Sequence, residues 1–187
     1  MSEEVTRESF EQIIEDAMYL QDEAEALKYV IDTVPYEESP PTDDSSILDK
    51  LLLLDHLQVN YYRPIFEKAE PPARDHVKVQ SYNAFCEDFV PDNSNDLDIQ
   101  KILSKLAKHR AALINVLRKI PLIDWQKLIY KDNREITLYQ FAQDMIYKDR
   151  SILKEIAEMV MVFQKEQQGR RGIEKKVSEK NQRQNKD

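Results

Sequence analysis

Between Met1 and Gln168 there is not one glycine; the only two, Gly169 and Gly172, stand near the end of a 187-residue chain. That absence constrains the fold more than any other feature. Glycine-rich dinucleotide fingerprints and phosphate-cradling loops need glycine for close backbone approach, so both are excluded over residues 1–168. Asn-Gly and Asp-Gly hairpin turns are missing as well, which makes a β-rich fold improbable. What remains is a helical framework punctuated by eight prolines.

Apolar spacing marks four helical segments. The first covers about residues 5–33, where Phe10, Ile13, Ile14, Ala17, Leu20, Ala24, Leu27 and Ile31 recur at three- and four-residue steps. Pro35 ends it, and residues 36–44 with Pro40 and Pro41 read as a linker. The second begins near Ser45 or Ser46, with Asp49 completing a capping-box-like pair, and Pro64 inside it predicts a kink or an early end. Residues 70–94 carry three prolines and no sustained period, with one short helical turn expected around Tyr82–Phe89. The third segment runs from near Asn95 to Ile120 and stops at Pro121. A connector over 121–135 then holds the only tryptophan, Trp125, as an anchor. The fourth opens with Thr137 and Gln140 as a capping box and reaches about residue 164. Four such segments, with a long connection after the second, predict an all-α four-helix bundle over 1–166. Residues 167–187 are polar and basic and predict a disordered tail.

Charge is unevenly placed. Residues 1–50 hold fifteen acids against three bases, residues 51–164 are balanced, and residues 165–187 hold eight bases against four acids, for a net charge of −8. An acidic body argues against nucleic acid and membrane surfaces as main partners. The single cysteine, Cys86, cannot form an internal disulfide, and the acidic opening lacks the basic and apolar regions of a signal peptide, so a cytoplasmic location is expected.

Chemistry in a bundle comes from polar side chains that interrupt apolar stripes. Asp55 and His56 interrupt the second stripe between Leu52 and Val59; Lys148 and Asp149 interrupt the fourth between Met145 and Ile152. Both interruptions lie near mid-helix, and pairing of Asp55 or His56 with Lys148 would offset the cost of burial. The competing reading makes these histidines hydrogen-bonded core residues and lets Lys148 and Asp149 reach water at the stripe's border. His109, between Leu106 and Leu113, invites the same two readings. His76 reads as a solvated loop residue, and Cys86 as a small buried apolar group. Metal and nucleophile templates such as H-E-x-x-H, C-x-x-C, E-x-x-H and G-x-S-x-G are absent from the sequence.

The segments SSILDKLLLLDHLQVN (45–60) and DWQKLIYKDNREITLYQFAQDMIYKDRSILKEI (124–156) resemble the DinB-like superfamily of four-helix proteins, and the likeness spans most of residues 5–164. The resemblance implies a divalent metal, zinc or nickel, held by one histidine in the second helix and two in an H-D-x-x-H of the last. His56 matches the first. The later motif falls on Lys148, Asp149 and Ile152, so its aspartate is retained while both histidine positions hold residues unable to serve as ligands here. The candidate pocket is therefore Asp55, His56, His109, Lys148, Asp149 and Ile152, with no cofactor expected. The expected function is a small-molecule-binding or interaction protein, a homodimer through an apolar helix face, that has lost the superfamily's metal-dependent activity. The rival expectation is a metal-dependent thiol S-transferase or hydrolase using a rebuilt set of His56, His109 and Asp149. A third expectation makes the basic tail a docking arm for an acidic partner.

Overall fold

A computed structural model describes residues 5–69, 77–91 and 98–184, and these are mostly helical. The first helix, α1 (Arg7–Leu27), starts at Thr6, whose hydroxyl accepts from the Ser9 amide while the Ser9 hydroxyl accepts from the Thr6 amide. It ends earlier than its apolar pattern; a 3₁₀ turn over Ile31–Thr33 carries the last stripe residue, Ile31, into the core. Ser46 and Asp49 form the expected capping box and launch α2 (Ile47–Leu57).

Pro64 does not end this segment, but the regular α-helix is interrupted just before the proline. A π-helical turn over Gln58–Tyr62 precedes it, in which the Arg63 amide donates to the Gln58 carbonyl, and the helix resumes as α3 (Arg63–Ala69). Proline has no amide to donate and crowds the turn before it, and the widened turn accommodates both defects.

Two corrections concern the connections. The long connection carries a two-residue strand, β1 (Lys78–Val79), besides the expected short helix, α4 (Tyr82–Glu87). The connector after α5 (Ile99–Lys119) folds as a 3₁₀ turn, Leu122–Gln126, followed by the hairpin β2 (Leu128–Lys131) and β3 (Arg134–Thr137). Its turn uses Asp132 and Asn133 at φ of 52° and 60°, so the pair of positive angles usually supplied by glycine comes from two side chains that tolerate them. β1 pairs in parallel with β2, Lys78 opposite Tyr130, which ties the two connections together. Trp125 is wholly buried as the expected anchor, beside Phe10 and Phe66 at 5.5 and 6.2 Å between ring centroids.

The third segment is capped by Asp98, which accepts from the amides of Gln100 and Lys101; the expected start near Asn95 lies outside the described residues, as does His76. Thr137 and Gln140 exchange the two hydrogen bonds of their capping box at the head of α6 (Leu138–Gln184). This last helix does not end near residue 164 or give way to an irregular tail: it continues unbroken, and from Gln168 to Asn181 every side chain is exposed. Within the body α1 packs along α5 and against α6, while α2 packs against the same two helices. Leu20, Leu51, Leu54, Leu103, Leu106, Leu117, Phe141 and Met145 meet at the centre of one continuous apolar core. No helix among the described residues is long and apolar enough to cross a membrane.

Candidate functional site

The six residues singled out from the sequence do not converge on one pocket; they divide among three places. Asp55, on α2, faces α5, where its Oδ1 lies 2.6 Å from Nδ1 of His109. The pair is partly covered, with the imidazole 30% and the carboxylate 16% exposed. A carboxylate on one ring nitrogen fixes the imidazole's orientation and leaves the other nitrogen without a part in that contact.

His56, one residue on, turns to the other side and meets α4. Its ring stacks on Phe85 at 5.0 Å and lies 4.9 Å from Phe89, while the Asn60 side-chain amide lies 3.0 Å from its Nδ1. Lys148 meets the same short helix, its ammonium 4.8 Å above the ring of Tyr82. The expected ion pair between Lys148 and Asp55 or His56 is not formed among the described residues; α4 supplies aromatic surface to both His56 and Lys148 instead. A cation over an aromatic face is favourable without a carboxylate. Cys86 stands beside Tyr82 and is half-buried. Burial pushes its thiol up, while the Tyr82 hydroxyl and the Lys148 charge pull the other way, so it is held as a thiol rather than as a nucleophilic thiolate.

Asp149 enters the core, and so does Ile152. The partner of Asp149 is one the stripe reading passed over: Arg110, fully buried, donates from Nη2 to Asp149 Oδ2 at 2.5 Å. Its Nε donates to Gln58 Oε1 at 2.6 Å, and Gln58 in turn donates from Nε2 to the Leu106 carbonyl. Arg110 and Gln58 lie on the apolar stripes themselves, Arg110 between Leu106 and Leu113 and Gln58 four residues after Leu54. That spacing is the sequence signal for both. Burial pushes the Asp149 carboxyl above its ordinary range, and the guanidinium opposes that shift. Asp149 Oδ1 and the hydroxyl of Tyr62 are both buried without a hydrogen-bond partner. Burial raises the Tyr62 phenol, and the negative charge of Asp149 adds to the effect.

α5 thus carries both polar contacts, His109 with Asp55 of α2 and Arg110 with Asp149 of α6 and Gln58 of the π turn. Among the described residues no three His, Cys, Asp or Glu side chains stand together as a set able to hold a metal ion. Each residue of the proposed rebuilt set already has a different neighbour: His56 the α4 aromatics, His109 Asp55, and Asp149 Arg110. Comparison with protein-family models, with curated proteins and with solved structures finds no match.

Proposed function

We propose that this chain is a cytoplasmic, DinB-like four-helix bundle in which side-chain contacts have taken over the place of a metal centre. Its role on this reading is that of a small-molecule-binding or interaction protein that self-associates as a homodimer, with neither nucleic acid nor membrane as its main partner. The observation that carries it is the Arg110–Asp149 pair. Asp149 is the position of the last-helix motif that retains its expected residue, and a buried guanidinium bonds its Oδ2. A cation built into the protein opposes a second cation at the same carboxylate by direct repulsion. Lys148 and Ile152 at the flanking motif positions support the same reading, since an ammonium and an alkyl chain offer no lone pair to a metal at neutral pH. The test is metal analysis of the purified protein after exposure to zinc and to nickel. Substoichiometric metal and an unchanged melting temperature are expected. Tight, stoichiometric metal that is lost in His56→Ala would overturn the proposal.

The enzyme reading draws on a different observation, the Asp55–His109 contact, because a carboxylate behind an imidazole is the usual support of a histidine ligand or base. A thiol S-transferase or hydrolase built on His56, His109 and Asp149 requires divalent ions to raise the melting temperature through linkage. It also requires loss of thiol-transfer or hydrolytic turnover in His109→Ala. The absence of both effects would dispose of it.

A further inference from the structure

Beyond Gln167, α6 is a helix that touches little of the body. Gln167 makes the last side-chain hydrogen bond to the body, its amide donating to the Thr33 carbonyl at 2.8 Å; Arg170 lines the same cleft as Asp32 and Glu38, and the described side chains beyond Gln167 are exposed. Residues 165–184 extend for about 30 Å at 1.5 Å per residue. A solitary helix of that length is marginal in water, and Gly169 and Gly172 weaken this one further; a Cβ at either would meet nothing within 4 Å. Yet the segment is amphipathic. The α-helical step brings Ile173 and Val177, 65% and 53% exposed, onto one line, and the same face carries Arg170, Lys176 and Lys180. None of these three cations is in an ion pair among the described residues.

The outer face of α1 has the opposite character. Glu8, Glu11, Glu15 and Asp22 line one side of this 21-residue helix, also about 30 Å long, and all four are exposed. Met18 and Tyr19, 37% and 42% exposed, and Ala26 lie on the same face. The cations that reach it are Arg7, beside Glu11; Arg118, whose guanidinium donates to the Met18 sulfur; and Arg150, which pairs with Asp16 and sits over Tyr19. Glu8, Glu15 and Asp22 have no ion-pair partner among the described residues. Two helical faces of equal length, one basic with an apolar line and one acidic with apolar side chains, are thus both left uncovered.

From this complementarity we infer that the projecting helix of one copy docks along the outer face of α1 of a second copy. The inference rests on the self-association in the functional reading above, not on its metal clause. In a two-fold arrangement the contact is made twice, each copy giving its basic helix and receiving its partner's. Ile173 and Val177 would cover the apolar line of Met18, Tyr19 and Ala26, while Arg170, Lys176 and Lys180 would face the carboxylates. Opposite charge at both rims fixes the register and makes assembly salt-sensitive.

The test is the molar mass of the full chain by light scattering, at about 50 mM and about 500 mM salt. A dimer that weakens at the higher salt is expected. Reversing the basic face (Arg170→Glu, Lys176→Glu, Lys180→Glu) should weaken it at least about tenfold, and so should reversing the acidic face (Glu8→Lys, Glu15→Lys, Asp22→Lys). Combining the two sets should restore the dimer, which a merely structural role for either face would not do. All six positions are exposed, and an unchanged melting temperature of the variants confirms that the body still folds. A monomer at both salt concentrations, including one whose own tail folds back at the glycines, overturns the inference together with the self-association beneath it. A dimer that survives deletion of residues 168–184 overturns this contact and leaves self-association standing. Failure of the combined variant to recover overturns the pairing of these two faces.

Discussion

His109 and Arg110 are neighbours on α5, and each bonds a carboxylate from another helix, yet the two contacts are physically unlike. His109 meets Asp55 of α2 at a partly covered edge, where water still reaches both partners. Arg110 meets Asp149 of α6 with the guanidinium fully buried and the carboxylate 3% exposed. At the edge, Coulomb attraction is weakened by solvent and little is lost when the pair is broken. In the core, each charge has given up its hydration, so removing one leaves the other stranded. One step along a helix therefore separates an adjustable polar contact from a structural one. The first contact is open to solvent; the second ties α5 to α6 from inside the core.

The sharpest way to break this comparison is Arg110→Met. It should cost about 3–5 kcal/mol, because Asp149 would remain as a buried unpaired carboxylate and Gln58 would lose its donor. In a chain of this size that lowers the melting temperature by roughly 10 °C. The double variant Arg110→Met with Asp149→Leu should recover most of the loss in chemical denaturation, since no charge is then left behind. Equal instability of the single and double variants would show that the shape of the arginine, not its charge, holds this layer. Next in size is His109→Ala, for which about 1 kcal/mol or less is expected by the same measurement. A larger loss would place the edge pair in the same class as the core pair.

Acid provides a smaller probe, because two carboxylates beside cations shift in opposite directions. The Lys50 ammonium beside Asp43 holds that carboxyl down to about 2. Its folded-state value lies below the unfolded one, so its stabilisation is complete above about pH 4 and fades as pH falls toward 2. Asp43→Asn should flatten that acid limb by less than about 1 kcal/mol, Asp43 being partly exposed. Asp149 has the opposite sign: burial raises it, so its contribution declines as pH rises through the interval between its unfolded and folded values. The smallest effect expected is that of Tyr62→Phe, whose hydroxyl is buried without a partner. Its removal should be neutral or stabilising by about 0.5 kcal/mol. A clear loss of stability would mean that the hydroxyl has a partner, such as a trapped water shared with Asp149 Oδ1.

Much of the helical framework was legible before any coordinates, for local reasons. Capping boxes at Ser46 and Thr137 involve residues three apart, and the apolar stripe of α1 follows from its own period. Trp125 announced itself by size and rarity. What escaped depended on choices between elements. Nothing in Lys148 itself says that a short helix from a distant connection will offer it the ring of Tyr82. Arg110 was hidden for another reason: an arginine on an apolar stripe is ordinarily discounted as a rim residue, and only its carboxylate on α6 and amide on the π turn make burial affordable. The hairpin has no glycine signal in the sequence, because its turn uses Asp132 and Asn133. The continuation of α6 escaped because composition there argues against any packed structure.

The short helix α4 is held more loosely than the helices it meets. None of its six residues is fully buried, and it is reached from one side through a strand of two residues pairing with β2, about fifty positions further along the chain. Long-range pairing of that kind closes late in folding and opens early in fluctuation. In hydrogen exchange the amides of α4 should therefore lose protection before those of α2, α5 or α6. Each such opening strips the aromatic cover from His56 and Lys148 while the Arg110–Asp149 lock stays shut, so access to this end of the molecule becomes a matter of rate rather than of shape.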